Sequence, residues 1–302
     1  KIMQIIRSVI VQDETPAADG VYAYDLPVNP LSHIDLIIKC LNVTVEATLA
    51  NVLSMIPKIE VLYKGQGIVS MSAADLFALN CLQYFKAPVL TNRVATDNAV
   101  RSLGLRIPMG RWPFNPNECF PAARKGEFQL QLTVDIAVVN ADGLILQVET
   151  VELIGAEPSQ YQHISTMART PSATGQLDID LPIGNLLAGV LMFSTTVPTG
   201  IVWTTTIDQA RLLVDNMEAQ YAKANWESMH SDLIDRIGYE GDYSAAGGND
   251  LIYQYALMDL DPSLDLAYAV ETAGRSSVKV RIEAGDTQPV RLLPVEIVRI
   301  GG

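Results

Sequence analysis

"YAYDLPVNPL", residues 22–31, returns as "LDIDLPIGNL", residues 177–186, with Asp25-Leu26-Pro27 matched 155 residues later by Asp180-Leu181-Pro182. In a chain of 302 residues, a repeat at that spacing signals a whole domain present twice. Each copy continues into an apolar strand, "HIDLIIKCLNVTV" in the first and "LLAGVLMFSTTV" in the second. Each closes on a similar one, "VETVELI" at 148–154 and "VEIVRI" at 295–300. Four segments follow: an N-terminal arm at 1–19, a first sandwich at 20–154, a linker at 155–175 and a second sandwich at 176–302. The linker, "GAEPSQYQHISTMARTPSATG", is polar and holds Pro158, Pro171 and Gly175 with no sustained period. A Gly-rich stretch at 238–250 reads as a surface loop of the second copy.

Most of the remainder reads as short strands: "PKIEVLYKG", "EFQLQLTVDIAVVN", "LILQVETVELI", "DLIYQYALMDL", "LDLAYAV", "SVKVRIEAG" and "PVRLLPVEIV". Turn signals at Ala141-Asp142-Gly143 and Ala284-Gly285-Asp286 separate several of them. One helix interrupts each set. In the first copy Ser72 and Asp75 cap "LFALNCLQYF". In the second, Thr206 and Gln209 precede "ARLLVDNMEAQY", where Ile207, Ala210, Val214, Met217 and Tyr221 fall at helical spacing. The pattern is mainly β, two sandwiches in tandem, each with an inserted α-helix.

Residues 106–136, "RIPMGRWPFNPNECFPAARKGEFQLQLTVDI", change character halfway. Pro108, Pro113, Pro116 and Pro121 exclude a helix and make a poor central strand. Beyond Glu127 the chain alternates, with Phe128, Leu130, Leu132, Val134 and Ile136 on one face. A proline-stiffened aromatic loop delivers the chain into a half-buried strand.

Composition limits function. With 21 basic and 34 acidic residues the net charge is −13, which opposes binding to phosphate backbones and, away from the N-terminus, to anionic membrane surfaces. Only 18% of residues are charged while 49% are apolar, as for a protein whose surface is covered by other subunits. Cys40, Cys81 and Cys119 are far apart and read as buried free thiols. "KIMQIIRSVI" has too short an apolar part for a signal peptide. Between Asp180 and Asp208 no charge occurs, yet Pro182, Asn185, Pro198 and Gly200 cut that stretch into strand-length pieces rather than one membrane span.

Chemistry-bearing residues form no constellation. His33, His163 and His230 sit in different elements without the local second ligand a zinc site needs. Asp259, Asp261 and Asp265 offer oxygen ligands, but beside Pro262 they are turn formers and lack the glycine and terminal glutamate of a calcium loop. Gly65-Gln66-Gly67 and Gly247-Gly248 have no following Lys-Ser/Thr and read as turns. The pairs Asp178/Asp180 and Glu149/Glu152 are solvent-facing strand carboxylates, and no nucleophile elbow occurs. Asn42-Val43-Thr44 is a glycosylation triplet inside a strand. The expectation is no catalytic, cofactor-binding or metal-binding residue.

Together the duplication, inserted helices, polar linker and acidic charge resemble the double jelly-roll major capsid proteins of tailless, membrane-containing icosahedral viruses, the lineage of adenoviruses and large DNA viruses. Ile107-Pro108-Met109, Trp112, Phe114, Asn115-Pro116, Phe120-Pro121 and the strand from Phe128 follow a run found in the first jelly roll of the large DNA viruses. Pro113 separates the aromatics, and Cys119-Phe120-Pro121-Ala122 stands where Ala-Leu-Pro-Leu is usual. The length fits the smaller bacteriophage members. The resemblance implies two eight-stranded jelly rolls, a homotrimer forming a pseudo-hexameric capsomer, and a virion shell assembled in the host cytoplasm. It implies as partners neighbouring capsomers and minor capsid or penton proteins, with residues 1–12 near an internal membrane. The proline-rich loop becomes a tower or intersubunit clamp; from physics alone a crossover within one sandwich serves equally. The alternatives are a lectin-like or receptor-binding viral sandwich and a two-jelly-roll glycan hydrolase or amidase, the latter needing paired carboxylates and a tryptophan platform from Trp112, Trp203 or Trp226.

Overall fold

The computed structural model describes residues 3–91, 94, 96–198, 202–237 and 251–301. The chain forms two units: among the described residues, the first runs to 163 and takes in 251 and 299–301, and the second covers 164–237 and 252–298. Gly200 and the Gly-rich stretch 238–250, with Gly247-Gly248, lie outside the described residues.

In chain order the first unit contains β1 (Gln4–Glu14), β2 (Gly20–Asp25), β3 (Leu31–Asn42), α1 (Leu49–Ser54), β4 (Lys58–Tyr63), β5 (Gln66–Met71), α2 (Ala73–Tyr84), β6 (Val100–Pro108), β7 (Phe128–Val134), β8 (Ala141–Ile154) and the start of β9 (Gln160–Ser165). One sheet runs β1-β8-β3-β6; a second runs β9-β5-β4-β7-β2. Alternation along β3 buries Leu36, Ile38 and Cys40 and turns Asp35, Ile37 and Lys39 outward. β7 alternates as its sequence predicts, with Phe128, Leu130, Leu132 and Val134 inside. α2 begins where predicted: Ser72 Oγ accepts the Asp75 amide at 3.1 Å, a cap that contributes about 1 kcal/mol.

The second unit contains β10 (Met167–Arg169), β11 (Gly175–Asp180), β12 (Leu186–Ser194), β13 (Ile207–Val214), β14 (Met217–Glu218), β15 (Ala224–Asn225), α3 (Trp226–Ile237), β16 (Tyr255–Asp259), β17 (Val270–Glu271), β18 (Val278–Ala284) and β19 (Val290–Arg299). Here β10 pairs β19, which continues through β12 to β16, and β17 also pairs β12. The other sheet runs β11-β18-β13, with β14 and β15 both on β13. The core lies between them: Val190 and Met192 of β12, Ala210, Leu212 and Val214 of β13, Val280 and Ile282 of β18, and Trp226 and Met229 of α3.

The two units repeat strand for strand. β8 lies between β1 and β3 as β19 lies between β10 and β12; β6 flanks β3 as β16 flanks β12; β7 joins β2 to β4 as β18 joins β11 to β13. The broken pair β14/β15 takes the place of β5, and each helix that follows, α2 or α3, packs on the next strand, β6 or β16. The Asp-Leu-Pro repeats occupy the same position in both. Leu26 donates its amide to Phe128 O at 2.9 Å and Leu181 donates to Val278 O at 2.8 Å, each just past the end of its strand. The fold is mainly β, two eight-stranded jelly rolls in tandem, each with an inserted helix.

Three expectations change. Residues 207–221 are not a helix: Ala210, Leu212 and Val214 alternate into the core, and Asp215 and Asn216, with φ of 51° and 64°, make the turn into β14. The helix of that unit lies at Trp226–Ile237. "LDLAYAV", 264–270, is not a strand before its last residue, Val270: Leu264 and Leu266 take positive φ and the Asp261 carboxylate accepts the Leu266 amide at 2.6 Å. Finally, the N-terminal arm contains an edge strand, Gln4–Glu14, paired with β8, and the stretch read as a linker carries β9 and β10.

Candidate functional site

The proline-rich loop after β6 folds back onto its own unit. Met109 donates its amide to Ser32 O, and Phe120 exchanges backbone bonds of 2.9 Å with Leu31 at the start of β3. Phe120 stacks on Phe128 at 4.3 Å and meets Tyr63 and Tyr161 edge-on. Between these anchors Arg111 and Glu118 are both buried, and the carboxylate accepts the Arg111 amide at 2.7 Å, Nε at 2.9 Å and Nη2 at 2.7 Å, with Gln160 Nε2 at 3.0 Å. This bidentate closure compensates the burial of both charges. Gly110 permits it, since a Cβ there would overlap the Glu118 carbonyl. The loop is thus a crossover clamped within one sandwich, with Trp112 and Phe114 left exposed at its tip.

Beneath the tip lies His33. Ser32 Oγ accepts the Phe114 amide at 2.8 Å and sits 2.8 Å from His33 Nδ1, while the Phe114 ring stands edge-on to the imidazole at 5.2 Å. The hydroxyl proton is available to Nδ1, which leaves the ring proton on Nε2. Nε2 makes no hydrogen bond and faces Asp35 Oδ2 at 3.7 Å. Burial first, then the Arg106 charge, pushes the His33 pKa down to about 4, so the ring is neutral at neutral pH.

On the outer face of the same sheet, four strands supply a charged row. Asp35 of β3 is directly opposite Glu149 of β8 on one side and Arg106 of β6 on the other. Arg106 Nε donates to Asp35 Oδ1 at 3.0 Å, and Arg7 of β1 bridges Asp35 at 2.8 Å and Glu149 at 3.1 Å. These bonds, the one to Glu149 foremost, push the Arg7 pKa up. Asn80 of α2 fixes β6 here: its Oδ1 accepts the Arg106 amide at 2.8 Å and its Nδ2 donates to Arg106 O at 2.7 Å. A cavity of about 610 Å³ opens over the row, with residues 86–89 also in its lining.

The residues singled out in the sequence are not brought together. His163 Nε2 is 3.2 Å from Gly67 O; Gly65 lies in the turn between β4 and β5, and Gln66 and Gly67 open β5. His230 Nδ1 donates to Tyr255 O at 2.7 Å, and burial pushes its pKa down. Asp259 pairs with Arg236 and accepts the Asp261 amide; Asp261 and Asp265 accept amides of their own loop. Asp178 binds Arg281, and Glu152 accepts from Ser8 and Asn29. Cys40, Cys81 and Cys119 are buried free thiols, pushed up to about 11, 12 and 12 by burial. Trp226 is core, Trp203 is 87% exposed, and Trp112 lies on the loop tip, so the three form no platform. Asn42 is buried and its side chain donates to Val94 O. Among the described residues no three His, Cys, Asp or Glu side chains are grouped to hold a metal ion. No described helix is long and apolar enough to cross a membrane. The sequence reading missed the Arg111–Glu118 clamp and the four-strand row, whose members are joined only by the sheet register.

No protein-family model and no curated protein matches the chain in sequence. Solved structures do match it in fold. The crystal structure of the STIV MCP aligns at a TM-score of 0.70 and 12% identity over 98% of this chain and 97% of its own. The major capsid protein P2 from Bacteriophage PM2 aligns at 0.64 and 13% over 98% of both chains. The PBCV-1 virus capsid aligns at 0.66 and 7% over 98% of this chain and 94% of its own. From end to end, the chain has the double jelly-roll fold of these major capsid proteins.

Proposed function

We propose that this chain is a structural, non-enzymatic major capsid protein, which trimerises into pseudo-hexameric capsomers that tile an icosahedral virion shell. The observation that carries the reading is the repetition of one eight-strand order in both units, matched over nearly the whole length of capsid proteins with the same fold. Three copies then present six similar sandwiches, so one chain approximates sixfold packing with closed threefold symmetry. The work of such a protein is homotypic burial, which needs area and shape but no reactive group. The exposed apolar side chains of β1 (Ile5, Ile6 and Val9) and of the loop tip (Trp112 and Phe114) support it as surface for neighbours, including other capsomers and minor capsid or penton proteins. Residues 1–12 are the segment for contact with an internal membrane, and assembly in the host cytoplasm precedes residence in the virion. Multi-angle light scattering of the purified full chain tests the reading: trimers or larger closed particles are expected, and a stable monomer across the accessible concentration range overturns it.

A further inference from the structure

The cavity over the four-strand row has donors to spare. Its charged lining is Arg7, Lys86, Arg106, Asp35 and Glu149, three cations against two carboxylates, with Tyr84 and Asn80 as the neutral polar residues. Both carboxylates are already engaged. Asp35 accepts from Arg106 Nε and Arg7 Nη1, and Glu149 accepts from the same Arg7 nitrogen. Among the described residues the terminal nitrogens of Arg106, Nε and Nη2 of Arg7, the Lys86 ammonium and the Tyr84 hydroxyl make no hydrogen bond, and all four residues line the space. Arg106 is held in place, its guanidinium 5.3 Å from the Tyr84 ring centroid and its backbone clamped by Asn80.

We infer that this cavity binds a monoanionic carboxylate on an aliphatic stem. One unit of positive charge is in surplus, so one negative charge neutralises the site. The directly opposed pair Asp35 and Glu149 repels a phosphate dianion. A guanidinium with two free parallel donors matches a carboxylate in a bidentate geometry, while Ile37, Pro88 and Val89 supply an apolar wall for the stem. A volume of about 610 Å³ is that of an ordinary small-ligand site. The carboxylate comes either from a small organic acid or from an acidic side chain of a second copy of this acidic chain.

Titration calorimetry of the purified full chain with the α-methylamide of N-acetylglutamate, an acid whose one carboxylate sits on an aliphatic stem, and separately with inorganic phosphate, tests the assignment. We expect saturable one-to-one binding of the acid, at least tenfold weaker binding of phosphate, and at least tenfold weaker acid binding by Lys86→Glu. Lys86 is exposed, so that variant keeps its fold; Arg7→Gln is the second variant and is expected to weaken binding in the same direction. Light scattering then separates the sources. If a neighbouring copy supplies the group, free acid and Lys86→Glu both reduce self-association; if a small acid is the ligand, both leave self-association unchanged while binding persists. No saturable binding, phosphate bound as tightly as the acid, or Lys86→Glu binding as tightly as the parent overturns the inference.

Discussion

Arg111 and Glu118 stand seven residues apart, yet the carboxylate of one receives the backbone amide and two guanidinium nitrogens of the other, with both side chains buried. The pair turns a proline-rich excursion into a closed loop. Removing one partner takes away the bidentate compensation of a largely buried charge. Glu118→Ala is therefore expected to lower unfolding free energy by about 3–5 kcal/mol. The double change Arg111→Met with Glu118→Leu is expected to recover most of that loss. Urea unfolding of the three proteins measures both effects.

Gly110 makes the closure possible in a second way. Any Cβ there meets the Glu118 carbonyl, which is backbone and has no rotamer to yield. Gly110→Ala is expected to cost about 1–3 kcal/mol by overpacking. The same change at Gly67, whose Cβ position is open, serves as the control on the same unfolding assay.

His33 couples stability to acidity. Its pKa lies at about 4 in the folded chain, held down by burial and by Arg106 and Arg7 against the weaker pull of Asp35, and near 6.5 when unfolded. Between those values the unfolded chain binds the extra proton, so stability falls as pH drops from about 6.5 to about 4, with a limiting slope of about 1.4 kcal/mol per pH unit. His33→Gln is expected to remove this component. His230, whose pKa burial also pushes down, contributes to the background in both proteins, so the difference between their pH profiles isolates His33. Equal profiles contradict the assignment.

The turn at Asp215-Asn216 gives a local test of the strand that replaced the expected helix. Both residues take positive φ, and the Asp215 carboxylate accepts the Ser276 amide at 2.7 Å and the Ser276 hydroxyl at 2.8 Å, bonds that hold its pKa below the usual range. Asn216→Gly is expected to be neutral or stabilising, whereas Asn216→Val is expected to cost about 1–3 kcal/mol because a β-branched residue resists that conformation. A helix through this position would reverse the order, since glycine is the poorer helix former of the two. Thermal melts of both variants decide it.

How far the fold was legible follows from these residues. Asp25-Leu26-Pro27 and Asp180-Leu181-Pro182 were readable because the same strand end recurs in the same place, and Ser72 was readable because its cap is local. Residues 207–221 misled because Ala210 and Val214 satisfy a period of four as well as a period of two; Leu212 and the Asp-Asn turn were the distinguishing signals. The charged row could not be read at all. Arg7, Asp35, Arg106 and Glu149 become neighbours only through a four-strand register, and one sequence carries no record of which strands pair. The Arg111–Glu118 contact was hidden for a related reason, since loop closure depends on what the loop packs against.

The claim on which the account rests is that two like sandwiches in one chain exist to tile a surface in threes. Electron cryo-microscopy of the purified full chain addresses it in one step. The account predicts particles with threefold symmetry and a pseudo-hexagonal outline, six sandwich densities around the axis. Isolated two-lobed monomers, or oligomers without a threefold axis, would contradict it.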